Sequence, residues 1–340
     1  MGKIVCFGEL MLRLNPAGYL RFEQANAFEA SFGGGEANVA VSLAHFGMNA
    51  SFVSKFPKHS IGDMGIRALR VEDVDTKDIV RGGERMGIYY LEKGASQRAS
   101  KVIYDRAYSS ISMAARSDFD WNAILEGADW FHFTGITPAL SDEVAEITLD
   151  ALKVCKEKGV KVSCDLNFRK KLWTSEKAGK VMGELCQYVD VCIANEEDAE
   201  KVFGIKPDHN DVEGGKLNRE GYIDVAKQIH ETYGVPTVAI TLRKSISASD
   251  NDWSAMLYTG GQAYFSKEYR IHIVDRVGGG DSFGAGLIYA YQNGFEAQEQ
   301  IEFAAAASCL KQSIELDVNI SSVSDILSLM GGNASGRVQR

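Results

Sequence analysis

The chain carries six cysteines but no CxxC pair and no metal-type spacing among them. Cys6, Cys155, Cys164, Cys186, Cys192 and Cys309 sit mostly in apolar runs such as Lys161-Val162-Ser163-Cys164. They read as reduced core thiols of a cytoplasmic protein. Basic residues are not in excess. The 37 Lys and Arg against 46 Asp and Glu give a net charge of -9, which argues against nucleic acid as a partner. An anionic substrate would have to be met by local positive groups, not by a global field. No apolar stretch approaches the length of a membrane span. The short run Lys3-Ile4-Val5-Cys6-Phe7 meets Gly8-Glu9 at once, so no signal peptide is expected. The six histidines show no paired metal spacing and read as structural or surface residues. Internal repeats and low-complexity tracts are also missing.

What remains is an ordinary globular composition, 45% hydrophobic and 24% charged over 340 residues. That length suits one large α/β domain with an insertion, or two domains. From about residue 120, short β-branched runs alternate with longer helical patterns. Residues 161–164, 189–193 and 237–241 read as strands. Between them Val144, Ile147, Thr148, Ala151, Leu152 and Cys155 share one helical face that ends before Gly159. Such alternation predicts βαβ units and a mostly parallel sheet covered on both faces. Two regions break it. Residues 10–32 and 86–112 interleave aromatic and β-branched residues with polar ones, and look like antiparallel strands added to the main layer. Two such segments can pair in space as one small lid. Residues 207–221 read as a polar surface excursion, and the tail 331–340 as a loosely ordered end.

The most informative segment is Asp275-Arg276-Val277-Gly278-Gly279-Gly280-Asp281-Ser282-Phe283. A strand-like run, 269–274, precedes it. After it Phe283, Leu287, Ile288 and Tyr291 recur at helical spacing. The glycines therefore stand where a helix begins, with unpaired N–H groups and the positive end of the helix dipole. Without Cβ atoms that backbone lets a phosphate approach. Asp281, in the first turn, points at the same place, as a base for phosphoryl transfer to an alcohol would. Taken alone the turn fits an ordinary helix start slightly better, since Asp is favoured there and glycines mark turns. Other phosphate motifs fail. Gly215-Lys216 has Asn210 where a Walker A needs glycine, and Leu217 follows the lysine. The dinucleotide pattern has Phe283 in the place of its third glycine.

At this point the chain resembles the ribokinase-like (PfkB) carbohydrate kinases over nearly its whole length. Gly33-Gly34-Gly35-Glu36-Ala37-Asn38-Val39-Ala40 is similar to that family's substrate-side glycine motif, and 275–286 to its closing D-x-V-G-x-G-D-x-F-x-x-G signature. Gly8-Glu9-Leu10-Met11-Leu12-Arg13-Leu14, Ile103-Tyr104-Asp105-Arg106, Asp165-Leu166-Asn167-Phe168-Arg169 and the terminal Gly336-Arg337-Val338-Gln339-Arg340 resemble the branch that acts on 2-keto-3-deoxygluconate. The resemblance implies a three-layer α/β/α core over 1–330, a β lid from about 10–32 and 86–112, and a tail at 331–340. It implies ATP, Mg²⁺ and a sugar acid as partners and leaves a monovalent cation open. An exposed lid sheet with an apolar outer face often pairs with a second copy, so a homo-oligomer through the lid is expected. No membrane and no nucleic acid enter.

Residue by residue, the resemblance makes Asp281 the base toward the 6-hydroxyl and the amides of Gly278, Gly279 and Gly280 the anion hole. Gly33, Gly34 and Asn38 would contact the sugar, with Tyr89, Tyr104 and Arg106 from the lid and Arg169 from a strand end. Two arginines suit a carboxylate, which accepts bidentate hydrogen bonds. Asn167, Asn195, Thr241 and Arg243 would serve the nucleotide, and Asp198 a Mg²⁺ through water. The residues themselves leave other readings open. Tyr89 and Tyr104 fit core aromatics of a β layer, and Arg106 and Arg169 fit surface residues holding Asp105 and Asp165. The chain also departs from the family pattern twice. Asp198 stands where Asn-x-x-Glu has Glu, and 241–248 lacks the usual glycines.

Overall fold

The computed structural model describes residues 2–206 and 219–333. The terminal run 336–340 and the excursion expected at 207–221 thus lie outside the described residues, except for 219–221, which open the helix Arg219–Tyr233.

The expected alternation closes into a nine-stranded sheet. Six strands run parallel in the order Ala50–Val53, Lys3–Phe7, Ala128–Thr134, Lys161–Asp165, Val191–Asn195 and Thr237–Ser245. The sheet then turns antiparallel through Asp250–Thr259, which pairs with both Gln262–Phe265 and Tyr269–His272. Lys3–Phe7 is buried at every residue, as a strand covered on both faces must be. Helices Asp142–Lys158, Ser175–Leu185, Glu196–Phe203 and Arg219–Tyr233 share one apolar cluster on one face. Gly35–His45, Gly279–Gln292, Ala297–Lys311 and Val323–Met330 share a second cluster on the other. The helical stripe from Val144 to Cys155 is the buried face of Asp142–Lys158. That helix is capped by the Ser141 hydroxyl at its start and by Gly159 at its end.

The two aromatic segments do not extend this layer. They form a separate four-stranded sheet in the order Glu29–Gly33, Met11–Asn15, Gly87–Glu92, Lys101–Asp105. The pairs within each segment are antiparallel hairpins, but the pair that joins the segments, Met11–Asn15 with Gly87–Glu92, is parallel. The chain passes through the main layer between them, and a crossover of that kind, unlike a hairpin, can return a strand in the same direction.

Helices Gly279–Gln292 and Ala297–Lys311 pack with their backbones close. A methyl group on Gly286 would lie 2.9 Å from the Ala304 Cα and 3.1 Å from the Ala307 Cβ. Gly286→Val is therefore expected to destabilise the protein by about 2–3 kcal/mol. Crowding outweighs the roughly 0.5–1 kcal/mol that replacing a helical glycine returns. Denaturant unfolding measures this, and an unchanged midpoint would contradict the packing.

Candidate active site

The site forms where parallel strands end, the usual ligand crevice of an open α/β sheet. Thr134, Asp165 and Asn195 close three neighbouring strands there, and two helices begin opposite them. One is Gly279–Gln292. Its N-cap, Gly278, has φ 81°, and a Cβ there would lie 1.8 Å from the Asp317 carbonyl oxygen, so no other residue fits. The Gly279 N–H makes a long turn bond of 3.4 Å to the Arg276 carbonyl, and Ser282 N–H donates to the Gly278 carbonyl at 2.8 Å. The Gly280 and Asp281 amides between them have no partner among the described residues. A Cβ at Gly280 would meet nothing within 4 Å. The Gly278 N–H likewise has no partner among the described residues, so the open donors of the turn are at 278, 280 and 281, and of the expected 278–280 only the Gly279 N–H is engaged.

Asp281 is partly exposed at this opening. Its Oδ2 accepts from Asn38 Nδ2 at 2.7 Å. Burial pushes its pKa up to about 6; Asp317 and Glu36 add to the rise, while the Asn38 bond and the Arg169 charge oppose it. Asn38 lies in the helix Gly35–His45, and its Oδ1 accepts from Gly34 N–H at 3.4 Å. It therefore ties the first glycine turn to the carboxylate. That turn abuts the base: a Cβ on Gly35 would lie 3.7 Å from Asp281 Oδ1. Glu36, quoted in the motif but given no role, is a buried strut. Its Oε1 accepts from the Thr134 amide and hydroxyl and from the Thr137 hydroxyl at 3.0, 2.8 and 2.6 Å.

Behind the glycine turn lies an ionic cluster that sequence patterning did not reveal. Arg13, with no exposed surface, donates to Asp317 Oδ1 at 2.5 Å and to Asp275 Oδ2 at 2.6 Å. Tyr89 donates its hydroxyl to Asp317 Oδ2 at 2.5 Å. Lys311, also fully buried, donates to the carbonyls of Asp275 and Ile314 at 3.3 and 3.2 Å. Burial lowers the Lys311 pKa and raises that of Asp317, and each is opposed by its oppositely charged neighbours.

Across the opening, Arg169 is exposed and has no carboxylate within salt-bridge distance among the described residues, yet its charge reaches Asp165, Asp198 and Asp281. It does not pair with Asp165. Burial pushes Asp198 up to about 6 and raises Asp165 well above the usual carboxylate range, helped there by Asp198 and Asp281. Asp198 accepts from Phe168 N–H at 3.0 Å, and Asn195 caps the following helix through the Asp198 N–H at 2.8 Å. Asn167 takes φ 36° in the turn after Asp165. Among the described residues no group of three or more His, Cys, Asp or Glu is placed to hold a metal ion. Thr241 is not followed by a loop. The strand runs on to Ser245, with Arg243 opposite Trp253. Arg243 stands near Arg276, whose pKa falls through burial and that like charge. Arg276 was a further basic group on this side without an assigned role.

The second sheet carries Tyr89 and Tyr104, and Arg106 follows its last strand. Tyr89 and Tyr104 are cross-strand partners with ring centroids 6.1 Å apart. Tyr89 is buried and committed to Asp317, as a core aromatic would be. Arg106 is not a surface residue holding Asp105; Arg85 does that at 2.9 Å. Arg106 is buried, and its Nε donates to Glu9 Oε2 at 2.8 Å while Nη2 donates to the same oxygen. Its guanidinium lies 5.5 Å from the Tyr104 ring centroid, and Nη1 has no protein partner among the described residues.

Comparison with known proteins shows the family. The family model "pfkB family carbohydrate kinase" matches residues 1–316, and the chain belongs to that family. It is similar to a 2-dehydro-3-deoxygalactonokinase of Haloferax volcanii, 29% identical over 98% of each chain. A 2-dehydro-3-deoxygluconokinase of Bacillus subtilis is 26% identical over 90% of this chain and 88% of its own. Among solved structures, a 2-dehydro-3-deoxygluconokinase of Thermotoga maritima superposes with a TM-score of 0.94. It is 54% identical, with 97% of this chain and 98% of that one covered.

Asp281 and Asp198 have folded-state pKa values of about 6, above the 3.8 of a free aspartate. Their contribution to stability is full below about pH 4 and is lost as pH rises through about 6. Asp281→Asn, which removes the charge, should therefore raise the thermal unfolding midpoint at pH 8 and do so less at pH 5. Equal shifts at both pH values would contradict the assigned environment.

Proposed function

We propose that this enzyme transfers the γ-phosphoryl group of ATP to the 6-hydroxyl of 2-keto-3-deoxygluconate. The observation that carries the sugar acid is Arg169, an exposed guanidinium unpaired among the described residues whose charge reaches the Asp281 carboxylate. A neutral sugar gives it nothing to bind, whereas a carboxylate offers a bidentate partner. The names of the relatives support the same substrate class. The Haloferax relative, named for the galactonate form, favours one further reading, acceptance of the C4 epimer.

Asp281 accepts the hydroxyl proton as the sugar oxygen bonds to the γ-phosphorus and the bond to the ADP oxygen breaks. A pKa of about 6 keeps it ionised at neutral pH while making it more basic than a free aspartate. Asn38 holds its Oδ2 in place, which leaves Oδ1 for the proton. The amides of Gly278, Gly280 and Asp281 receive the charge of the moving phosphoryl group. Gly33, Gly34, Tyr104 and the free Nη1 of Arg106 line the sugar side, Arg106 oriented by Glu9. Tyr89 acts through Asp317. Arg243, with Arg276, Thr241, Asn167 and Asn195, lies on the nucleotide side. Mg²⁺, when bound, neutralises phosphate charge. The mutually repelling Asp165 and Asp198 suit a cation held through water and phosphate oxygens, a partly hydrated arrangement typical of this ion. The second sheet leaves Phe28 and Ile103 43% and 52% exposed, and a second copy of the chain paired through this sheet would cover them.

Asp281→Asn should lower kcat by about 10²–10⁴-fold, the usual worth of a general base, with ATP affinity nearly intact. Turnover within a few-fold of the parent would sink the assignment. Arg169→Ala should chiefly raise KM for the sugar acid, so a change confined to nucleotide affinity would place it on the other side of the site. Coupled ADP release across a panel of sugar acids and neutral sugars tests the substrate class directly, and preference for a neutral ketohexose would overturn it.

A further inference from the structure

Lys311 is a buried cation that the proposed chemistry does not use. It ends the helix Ala297–Lys311, where the dipole favours positive charge. Its ammonium faces two backbone carbonyls, of Asp275 and Ile314. A Cβ on Gly278 would come 3.2 Å from its Cε, so the side chain passes directly beneath the glycine turn. The charges around it balance when it is protonated: Asp275 and Asp317 face Arg13 and Lys311, two against two, with no exposed partner for any of them. Carbonyl oxygens arranged in this way can also replace the hydration shell of a monovalent metal ion.

We propose that Lys311 is an internal cation of the site, a positioning residue whose ammonium holds the turn at 275–280 in the place where a bound monovalent cation would otherwise be needed. The proposal rests on that turn being the phosphate site. It follows that turnover is independent of K⁺ in the native enzyme and that removing the ammonium creates a demand for such an ion.

The test compares native enzyme and Lys311→Ala in tetramethylammonium buffers, whose cation is too large to enter, titrated with KCl or methylammonium chloride. Native turnover should change less than twofold. Lys311→Ala should lose about 10- to 100-fold in kcat, as removal of a supporting group behind a site typically does, with KM for ATP within a few-fold. Added K⁺ or methylammonium should restore it saturably. Lys311→Met, which fills the space without charge, should show the same deficit and no rescue. The thermal unfolding midpoint of Lys311→Ala should rise with K⁺ and that of native enzyme should not, a reading that needs no substrate. Failure of the sugar-acid assignment would appear instead as a native enzyme inactive on sugar acids, with this cation response intact. The proposal is overturned by a native enzyme that requires K⁺, by Lys311→Met turning over at the native rate, or by folded Lys311→Ala that neither ion restores or stabilises.

Discussion

Arg13 sits without exposed surface between Asp275 and Asp317, and the parts of the site keep their relative positions through those contacts. Arg13 belongs to the second sheet, Asp275 opens the glycine turn, and Asp317 follows the last long helix of the core. Three distant stretches are thus joined at one point. Charges desolvated this far are costly unless each is matched, and removing one partner leaves another buried and unpaired. Any other docking of the second sheet would leave these charges buried without their partners. Tyr89 extends it to the Asp317 oxygen that Arg13 leaves open, and the Asp317 carbonyl packs where a Gly278 side chain would stand.

The same desolvation that makes this cluster expensive makes the base effective. Burial raises the pKa values of Asp281, Asp165, Asp198, Glu36 and Asp317, and neighbouring carboxylates add to the rise at all of these except Glu36. Such crowding opposes folding at neutral pH and is tolerated where function needs it. Arg169 is exposed and not tied into an ion pair among the described residues, which leaves it available to a ligand.

The alternating pattern from residue 120 was legible because parallel strands and their helices bury continuous runs and regular stripes, and both are local signals. The helix from Asp142 and its Gly159 end follow from spacing alone. The parallel pairing of Met11–Asn15 with Gly87–Glu92 was not legible, since direction depends on how the chain returns and not on which residues it carries. At the site, Asp281 and the glycines stand out because they are contiguous. Glu9, Arg13, Lys311 and Asp317 do not, because their partners lie far away in sequence: Glu9 meets Arg106 and Arg13 meets Asp317. A buried ion pair leaves no periodic trace.

The sequence by itself determined the layered α/β architecture, the helix start at the glycines and the presence of a carboxylate in that first turn. All three depend on neighbours a few residues apart. Only the tertiary structure decided that Asn38 holds that carboxylate, that Arg106 is occupied by Glu9 while Arg169 stays free, and that Gly279 alone of the turn's glycine amides is engaged. Each of these depends on which distant groups are brought within hydrogen-bond distance when the two sheets and their helices close on one another, and burial then sets the strength of every charge so enclosed.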